Sequence, residues 1–242
     1  MKHLKKILIS MLLIAIMASA GFFIYTLDYY RGDETALSAL TADQNIFIQV
    51  NRNQISFIPN DSSNIGIVFY PGGKVEHLAY SPLCNDLAAN GINTFLIKMP
   101  FNLAVFGINM ADSIINSNPE ITCWYIAGHS LGGAMASQYA AENSQLINGV
   151  ILLGAYSYGD LSNTDIRLLS IYGSEDMILN QNSFNNTQSN NPPNTIYHEI
   201  VGGNHAYFGS YGDQKGDGIA KISPEEQRSE TVKSILSFLN LR

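Results

Sequence analysis

The chain has 242 residues, of which 46% are hydrophobic and 14% are charged. This composition is typical of a globular protein and excludes an intrinsically disordered chain. The formal net charge is −7, and no basic stripe runs through the body of the chain, which argues against a nucleic-acid partner. After a short N-terminal segment, the remaining length suits about one domain with a substantial core.

The N-terminus combines positive charge with a long apolar stretch. Three lysines precede residues 7–25, which contain no charged residue. This stretch has about the 20 residues that a bilayer span needs, which favours a retained, single-pass membrane anchor. An A-x-A pattern at residues 18–20 is typical of a signal-peptide cleavage site, so a secreted protein is the alternative. In both cases the positive charge before the stretch predicts that the body of the chain is exported.

We therefore divide the chain into an anchor or signal peptide (1–27), a polar tether (28–45) and one domain (46–242). Apolar runs and turn residues predict the elements of that domain. In chain order, the predicted strands are 46–50, 55–58, 65–70, 93–97, 123–127, 149–153, 166–172 and 195–201, and the predicted helices are 81–90, 103–116, 131–143 and 224–239. Ser81 and Ser223 are the predicted N-caps of the first and last helices. Residues 177–190 are Asn-rich and ambiguous.

Strands and helices alternate after an opening hairpin. This order predicts an α/β fold with a mostly parallel twisted sheet, helices on both faces and an antiparallel edge. Residues 154–165, where a lid would enter, are too few for a cap domain, so we expect an open site. In such sheets ligands bind at the carboxyl ends of the strands.

A serine stands between two glycines at the end of a predicted buried strand, in GHSLG at residues 128–132. By itself the pattern is weak, because a tight strand-to-helix turn also needs glycine. Here the helix predicted directly after it gives the context of a nucleophile elbow. In that arrangement Ser130 takes a strained backbone conformation and the N–H of Leu131 points at the substrate oxygen. The pattern therefore indicates Ser130 as a nucleophile.

A serine hydroxyl needs a histidine base held by a carboxylate, in the chain order serine, acid, histidine. The strand 166–172 is followed by Glu175 and Asp176, and the strand 195–201 is followed by His205. We favour Asp176 over Glu175 as the acid on spacing. His77 precedes the serine and breaks the expected order, and His129 should point away from the serine. The second oxyanion donor is predicted to be the N–H of Gly73, in the loop after the strand 65–70.

Substrate-binding residues are less clearly indicated. Tyr207 and Phe208 follow the candidate base and could line an acyl pocket, with core packing as the alternative. Lys98 follows a strand end, where it could contact substrate or be only a solvated surface residue. Spacing in the segment 213–218 does not fit a calcium loop, and no Cys/His set suggests zinc. Cys84 and Cys123 are two buried thiols or, in an exported protein, a disulfide.

Four segments carry a resemblance to a known family: YPGGKV at 70–75, KMP at 98–100, GHSLGGAMA at 128–136 and GGNHAYFGSYGDQKGDG at 202–218. On these the chain resembles the α/β-hydrolases, and in particular a bacterial family of compact, lid-less members. The resemblance covers roughly residues 45–240 and implies that Ser130 is the nucleophile, Asp176 the acid and His205 the base. It also implies that no metal or organic cofactor takes part.

Together these features predict a serine hydrolase that cleaves a small-molecule carboxylic ester through an acyl-enzyme. A thioester or a small amide is the second choice for the bond that is cleaved. The alternatives are an exported acyltransferase and a binding protein that keeps a hydrolase fold without turnover.

Overall fold

The computed structural model describes residues 2–41 and 45–241. The strands are β1 (Ile46–Val50), β2 (Gln54–Pro59), β3 (Ile65–Tyr70), β4 (Asn93–Ile97), β5 (Cys123–His129), β6 (Gly149–Leu153), β7 (Arg167–Gly173) and β8 (Ile196–Ile200). The helices are α1 (Lys2–Leu27), α2 (Glu34–Ser38), α3 (Ser81–Ala89), α4 (Ala111–Ser117), α5 (Leu131–Glu142), α6 (Gln181–Asn186) and α7 (Pro224–Phe238).

The eight strands form one sheet in the order β1-β2-β4-β3-β5-β6-β7-β8. β1 pairs antiparallel with β2, and β2 pairs antiparallel with β4. All other neighbours are parallel. The predicted fold is therefore confirmed: it is an α/β-hydrolase fold with a mostly parallel sheet and an N-terminal antiparallel hairpin.

The core has two layers, one on each face of the sheet. Successive residues of β3 alternate between them: Ile67 and Phe69 face α3 and α7, whereas Val68 and Tyr70 face α4 and α5. Because both faces are covered, the central strands are apolar at nearly every position. This packing holds the carboxyl ends of the parallel strands at one rigid edge of the sheet.

The predicted helix over 103–116 is wrong over its first half. Two 3₁₀ turns, Ala104–Phe106 and Ile108–Met110, occupy that half before α4 begins at Ala111, and a third, Pro100–Asn102, directly precedes it. Gly107 lies between two of these turns, and a Cβ on it would be 2.8 Å from the sulfur atoms of both Met99 and Met110. The apolar spacing correctly places Ala111 and Ile114 in the core, but Phe106 is exposed and the backbone before Ala111 forms turns instead of a regular helix.

Of the two predicted N-caps, Ser223 is confirmed and Ser81 is wrong. Ser223 caps α7 in a capping box with Glu226, as its position before Pro224 predicts. Ser81 is not a cap, because a 3₁₀ turn over His77–Tyr80 runs directly into α3 and makes Tyr80 the flanking residue. The Asn-rich ambiguous segment contains α6, whose first turn is capped by the side chain of Asn180.

α1 is long and apolar enough over His3–Leu27 to span a membrane, a property that a signal sequence shares. Part of the predicted tether that follows is docked on the domain. Tyr30 forms a parallel bridge with Val75, and its N–H donates to the carbonyl of Lys74 at 2.8 Å. Residues 42–44 of that tether lie outside the described residues.

Both cysteines are free thiols. Cys84 is fully buried in the core layer beside α3, and burial raises the pKa of its thiol. The disulfide alternative is therefore not realised in this structure.

Candidate active site

Ser130 sits at the sharp turn between β5 and α5. Its φ is 53° and its ψ is −124°, a region that L-residues seldom adopt. Such a conformation costs on the order of 1–3 kcal/mol and persists only where the surroundings enforce it. Here the enforcement includes a backbone hydrogen bond from the Ser130 N–H to the carbonyl of Leu153 on the adjacent strand β6.

The two glycines that flank this turn are required by contact with backbone. A Cβ on Gly128 would lie 2.5 Å from the carbonyl carbon of Gly132. A Cβ on Gly132 would lie 2.2 Å from the carbonyl oxygen of Tyr70, at the end of β3. The turn is therefore tight against itself at one glycine and tight against the neighbouring strand at the other.

His205 and Asp176 form a buried pair. The Nδ1 atom of His205 is 2.8 Å from Oδ2 of Asp176, and the two side chains are almost completely excluded from solvent. The other carboxylate oxygen of Asp176 accepts the N–H groups of Ile178 and Leu179 at 2.9 and 2.8 Å. The carboxylate is therefore fixed on both sides, and its orientation fixes the imidazole.

Glu175, the rival acid, points elsewhere. Its carboxylate accepts a hydrogen bond from Lys221 at 2.7 Å and another from the hydroxyl of Ser174. These hydrogen bonds lower the pKa of Glu175. Among the two neighbouring acids, only Asp176 contacts the imidazole.

Ser130 and His205 line the same cavity, of about 240 Å³, at the carboxyl edge of the sheet. No hydrogen bond joins the two side chains in the part of the chain that the structure describes. The Nε2 atom of His205 is buried and has no hydrogen-bond partner among the described residues. Nε2 of His205 is thus free to accept a proton in the cavity that Ser130 also lines. Hydrogen bonds between a nucleophile and its base are often long in ligand-free enzymes.

The two residues whose amides are predicted as oxyanion donors lie next to each other. A Cβ on Gly73 would be 2.9 Å from Cδ2 of Leu131, so the two residues are in contact. The backbone next to Gly73 is fixed by a hydrogen bond, because the N–H of Gly72 donates to the hydroxyl of Tyr80 at 3.1 Å. That hydroxyl also makes a 2.7 Å hydrogen bond with Nδ1 of His129.

His129 is buried directly below the candidate base. Its ring centroid is 4.4 Å from that of His205, and its side chain is not in the cavity. Burial, together with repulsion from the His205 imidazole, holds the pKa of His129 well below its usual value. His129 is therefore a neutral packing residue that links Tyr80 to the base.

Three site residues were not predicted from the sequence. Gly154, after β6, lies against the His–Asp pair, since a Cβ on it would be 2.9 Å from Nδ1 of His205. Asp217 joins the acid loop to the histidine loop through backbone contacts. Tyr80 supports the loop of residues 71–73 after β3, which we call the glycine loop. The sequence held a signal only for Asp217, which lies in the acidic, Gly-containing segment 213–218.

The residues predicted to bind substrate do not line the cavity. Lys98 is exposed, Phe208 is buried against the ring of His129, and Tyr207 is half-buried with its hydroxyl on Asp213. The cavity wall is mainly apolar, and most of its side chains are aliphatic. Besides Ser130 and His205, it is lined by Leu131, Ala134, Gly154, Ala155, Tyr156, Ile178, Leu179 and Asn180.

No group of three His, Cys, Asp or Glu side chains that could hold a metal ion occurs within 2–41 and 45–241. The groups that the structure brings together at this edge of the sheet are a hydroxyl, an imidazole and a carboxylate.

Residues 66–229 match the model of the alpha/beta hydrolase family, which is more than half of the chain. The chain belongs to the alpha/beta hydrolase family. No curated protein matches the sequence significantly.

Solved structures show the same hydrolase fold at low identity. A predicted CIB-like hydrolase from Thermoplasma acidophilum is 17% identical, with a TM-score of 0.58 over 79% of this chain and 99% of that one. The carboxylesterase CesB from Bacillus subtilis is 12% identical, with a TM-score of 0.58 over 85% and 95%. A dienelactone hydrolase from Anabaena variabilis is 16% identical, with a TM-score of 0.58 over 82% and 100%.

Proposed function

We propose that the protein is a serine hydrolase that cleaves carboxylic esters through an acyl-enzyme on Ser130. The observation that carries this proposal is the strained turn at Ser130, which opens into the cavity where Nε2 of His205 is unpaired and Nδ1 is bound to a buried carboxylate. A turn that served packing alone would not need this arrangement of base and acid.

In the first half of the reaction, Ser130 Oγ attacks the ester carbonyl carbon while its proton passes to Nε2 of His205. The carbonyl oxygen takes the negative charge and receives hydrogen bonds from the N–H groups of Leu131 and Gly73. One such donor is worth about 3 kcal/mol of transition-state stabilisation. The proton then moves from Nε2 to the leaving alcohol oxygen as the C–O bond breaks.

In the second half, His205 takes a proton from water, and the resulting hydroxide attacks the acyl carbon. Collapse of the second tetrahedral intermediate releases the carboxylic acid, and the proton returns to Ser130 Oγ. Asp176 accepts the Nδ1–H throughout, which keeps the ring in one tautomer and stabilises the imidazolium.

Two features favour an ester of modest size. The cavity of about 240 Å³ is small and mainly apolar. Residues 154–166 between β6 and β7 contain neither helix nor strand, so a cap domain does not enter there and the compact, lid-less class is the best fit. Carboxylesterase CesB and the Anabaena dienelactone hydrolase, which share the fold, act on esters by their names.

For its location, we propose a single-pass protein of the cell membrane whose domain of residues 46–242 is extracytoplasmic. The apolar surface of α1 supports this assignment, because its large hydrophobic side chains are exposed along the helix. Burial in a bilayer would remove that surface from water.

A fluorophosphonate probe tests the enzyme assignment. We expect covalent labelling of the full-length protein that disappears in Ser130→Ala and persists in Ser137→Ala, a buried serine on α5, the helix that follows Ser130. Absence of labelling in folded wild-type protein would instead favour the non-catalytic binding protein. Product analysis with added alcohols separates hydrolysis from acyl transfer.

A further inference from the structure

A cluster of exposed apolar side chains lies beside the end of α1. The 3₁₀ turns over residues 100–106 present Phe101, Val105 and Phe106, which are 48%, 43% and 52% exposed. We call these three residues the apolar patch. Exposed aromatic residues on a soluble surface are costly and mark contact sites when they cluster.

The backbone is strained to hold this patch outward. Phe101 and Asn102 have φ values of 56° and 54°, in the left-handed region that bulky residues avoid. Two consecutive residues in that region turn the Phe101 ring away from the core. Strain of this kind in a surface loop is typical of a functional contact.

The patch is continuous with α1. The ring of Phe22 packs edge-to-face on Phe101 at 5.3 Å and on Phe106 at 5.7 Å. The end of the helix is also tied to the glycine loop: Lys74 lies 4.4 Å from the ring centroid of Tyr25 and forms a 2.8 Å ion pair with Asp28.

The depth of Phe22 in a membrane follows from helix geometry. If α1 spans the bilayer with Lys6 at the inner boundary, Phe22 lies about 24 Å further along the axis, at a rise of ~1.5 Å per residue. This is less than the ~30 Å thickness of the hydrocarbon core, so Phe22 is still inside it. Side chains in ring contact with Phe22 must then reach the same region.

We propose that the apolar patch inserts into the outer leaflet of the bilayer that holds α1, and that the active site takes from that surface esters with a short acyl group on an amphiphilic alcohol. The connection to the site is short: the N–H of Lys74 donates to the carbonyl of Asn102 at 2.8 Å, and Gly73 next to it contacts Leu131 on the cavity wall. This inference rests on the proposed anchor and, for the substrate, on the proposed hydrolase activity.

Quenching by brominated phosphatidylcholine tests the membrane contact without using activity. Full-length Phe106→Trp protein is reconstituted in vesicles, and the wild type, whose single tryptophan Trp124 is buried, gives the baseline. The matched control is Leu146→Trp, which is 47% exposed in the wild type and lies before β6, at the opposite edge of the sheet.

We expect at least twofold more quenching for Phe106→Trp than for Leu146→Trp. Equal quenching, or N-terminal sequencing that finds α1 removed from the membrane-bound protein, would overturn the proposal.

A second arm tests the substrate class. The double variant Phe101→Ser with Phe106→Ser should hydrolyse an acetate ester of a long-chain alcohol in vesicles at least threefold more slowly, with unchanged hydrolysis of water-soluble nitrophenyl acetate. Equal rates on the vesicle ester would refute the substrate class. If the wild type hydrolyses neither ester, the proposed function fails, and quenching still decides the membrane contact.

Discussion

Asp217 accepts the N–H of Ala206, the residue that follows the candidate base, through Oδ2 at 2.8 Å. Its other oxygen accepts the N–H of Met177, directly after the candidate acid, at 3.2 Å, and that of Gly218 at 2.8 Å. One carboxylate thus holds together the two loops that carry the His–Asp pair.

Replacement of Asp217 by Asn should break the connection between the two loops, because the amide nitrogen that replaces one carboxylate oxygen cannot accept an N–H, whereas the remaining oxygen can serve only one side. We expect kcat/KM for a soluble ester to fall about tenfold and the free energy of unfolding to fall by about 1–3 kcal/mol. Asp213→Asn is the control in the same segment, since Asp213 is exposed and accepts only the Tyr207 hydroxyl at 3.3 Å. Equal effects of the two changes on kcat/KM would contradict the positioning role.

Gly154→Ala should disturb the His–Asp pair directly. Gly154 has a φ of 50°, and an added Cβ would lie 2.9 Å from Nδ1 of His205 and 3.0 Å from Oδ2 of Asp176. We expect kcat to fall by about two orders of magnitude, as displacements of about 1 Å at a catalytic group do.

Gly91→Ala separates steric contact from backbone strain. Gly91 also has a positive φ, of 84°, but its added Cβ would lie 3.7 Å from the nearest atom, the carbonyl oxygen of Asp61. It should lose stability with little change in kcat. A comparable loss of kcat in both variants would mean that strain alone explains the Gly154 effect.

Substitution of the two neighbouring acids should give very different losses. Asp176→Asn removes the carboxylate on Nδ1 of His205 and should lower kcat by about 10³–10⁴-fold. Glu175→Gln removes only the ion pair with Lys221, and its effect on kcat should be less than twofold. Steady-state rates with one soluble ester decide between them, and a larger loss in Glu175→Gln would reverse the assignment of the acid.

Tyr80→Phe should make the glycine loop less rigid, because it removes the hydroxyl that accepts the N–H of Gly72. The change leaves the N–H of Gly72 and Nδ1 of His129 without the hydroxyl that both contact, at a cost of about 1–3 kcal/mol of stability. Because Gly72 precedes the candidate oxyanion donor, we expect kcat to fall several-fold with little change in KM.

Tyr139→Phe is the matched control for this effect, since it removes another tyrosine hydrogen bond, to Asp112, on the far side of α5. It should cost similar stability without the loss of kcat. If both variants lose stability and neither loses kcat, Tyr80 serves packing alone.

Two buried histidines should make stability depend on pH. Burial, and then the positive charge of Lys98, lower the pKa of His77 to about 4. Burial and the nearby His205 lower the pKa of His129 well below its usual value. Both rings take up a proton in the unfolded chain below about pH 6.5 but stay neutral in the folded one.

The unfolded state therefore binds more protons than the folded state below pH 6.5. The contribution of these histidines to the free energy of unfolding is greatest above that pH and decreases as the pH falls. Each group contributes up to ~1.4 kcal/mol per pH unit, down to about pH 4 for His77. Urea unfolding between pH 5 and 8 measures this slope. His129→Gln should flatten it between pH 6.5 and 5, and an unchanged slope would mean that His129 is charged in the folded protein.

The sequence by itself predicted the eight strands in order, the helices α3, α5 and α7, and the loops that carry Ser130, Asp176 and His205, but it did not predict α2 or α6. These features follow from local chemistry: apolar runs form buried strands, and the glycines at 128 and 132 are the residues that a tight turn against backbone allows. The sequence does not predict the 3₁₀ turns before α4, because the apolar residues there have helical spacing even though Phe106 is exposed.

The tertiary structure alone decided how distant segments meet. It shows that Asp176 rather than Glu175 contacts the imidazole, and that Gly154, Tyr80 and Asp217 support the site. It also brings Phe22 onto Phe101 and Phe106. These contacts join residues far apart in the chain, and they depend on how the core packs. Local sequence pattern specifies which segment forms an element, but it carries little information about which side chains two packed elements bring together.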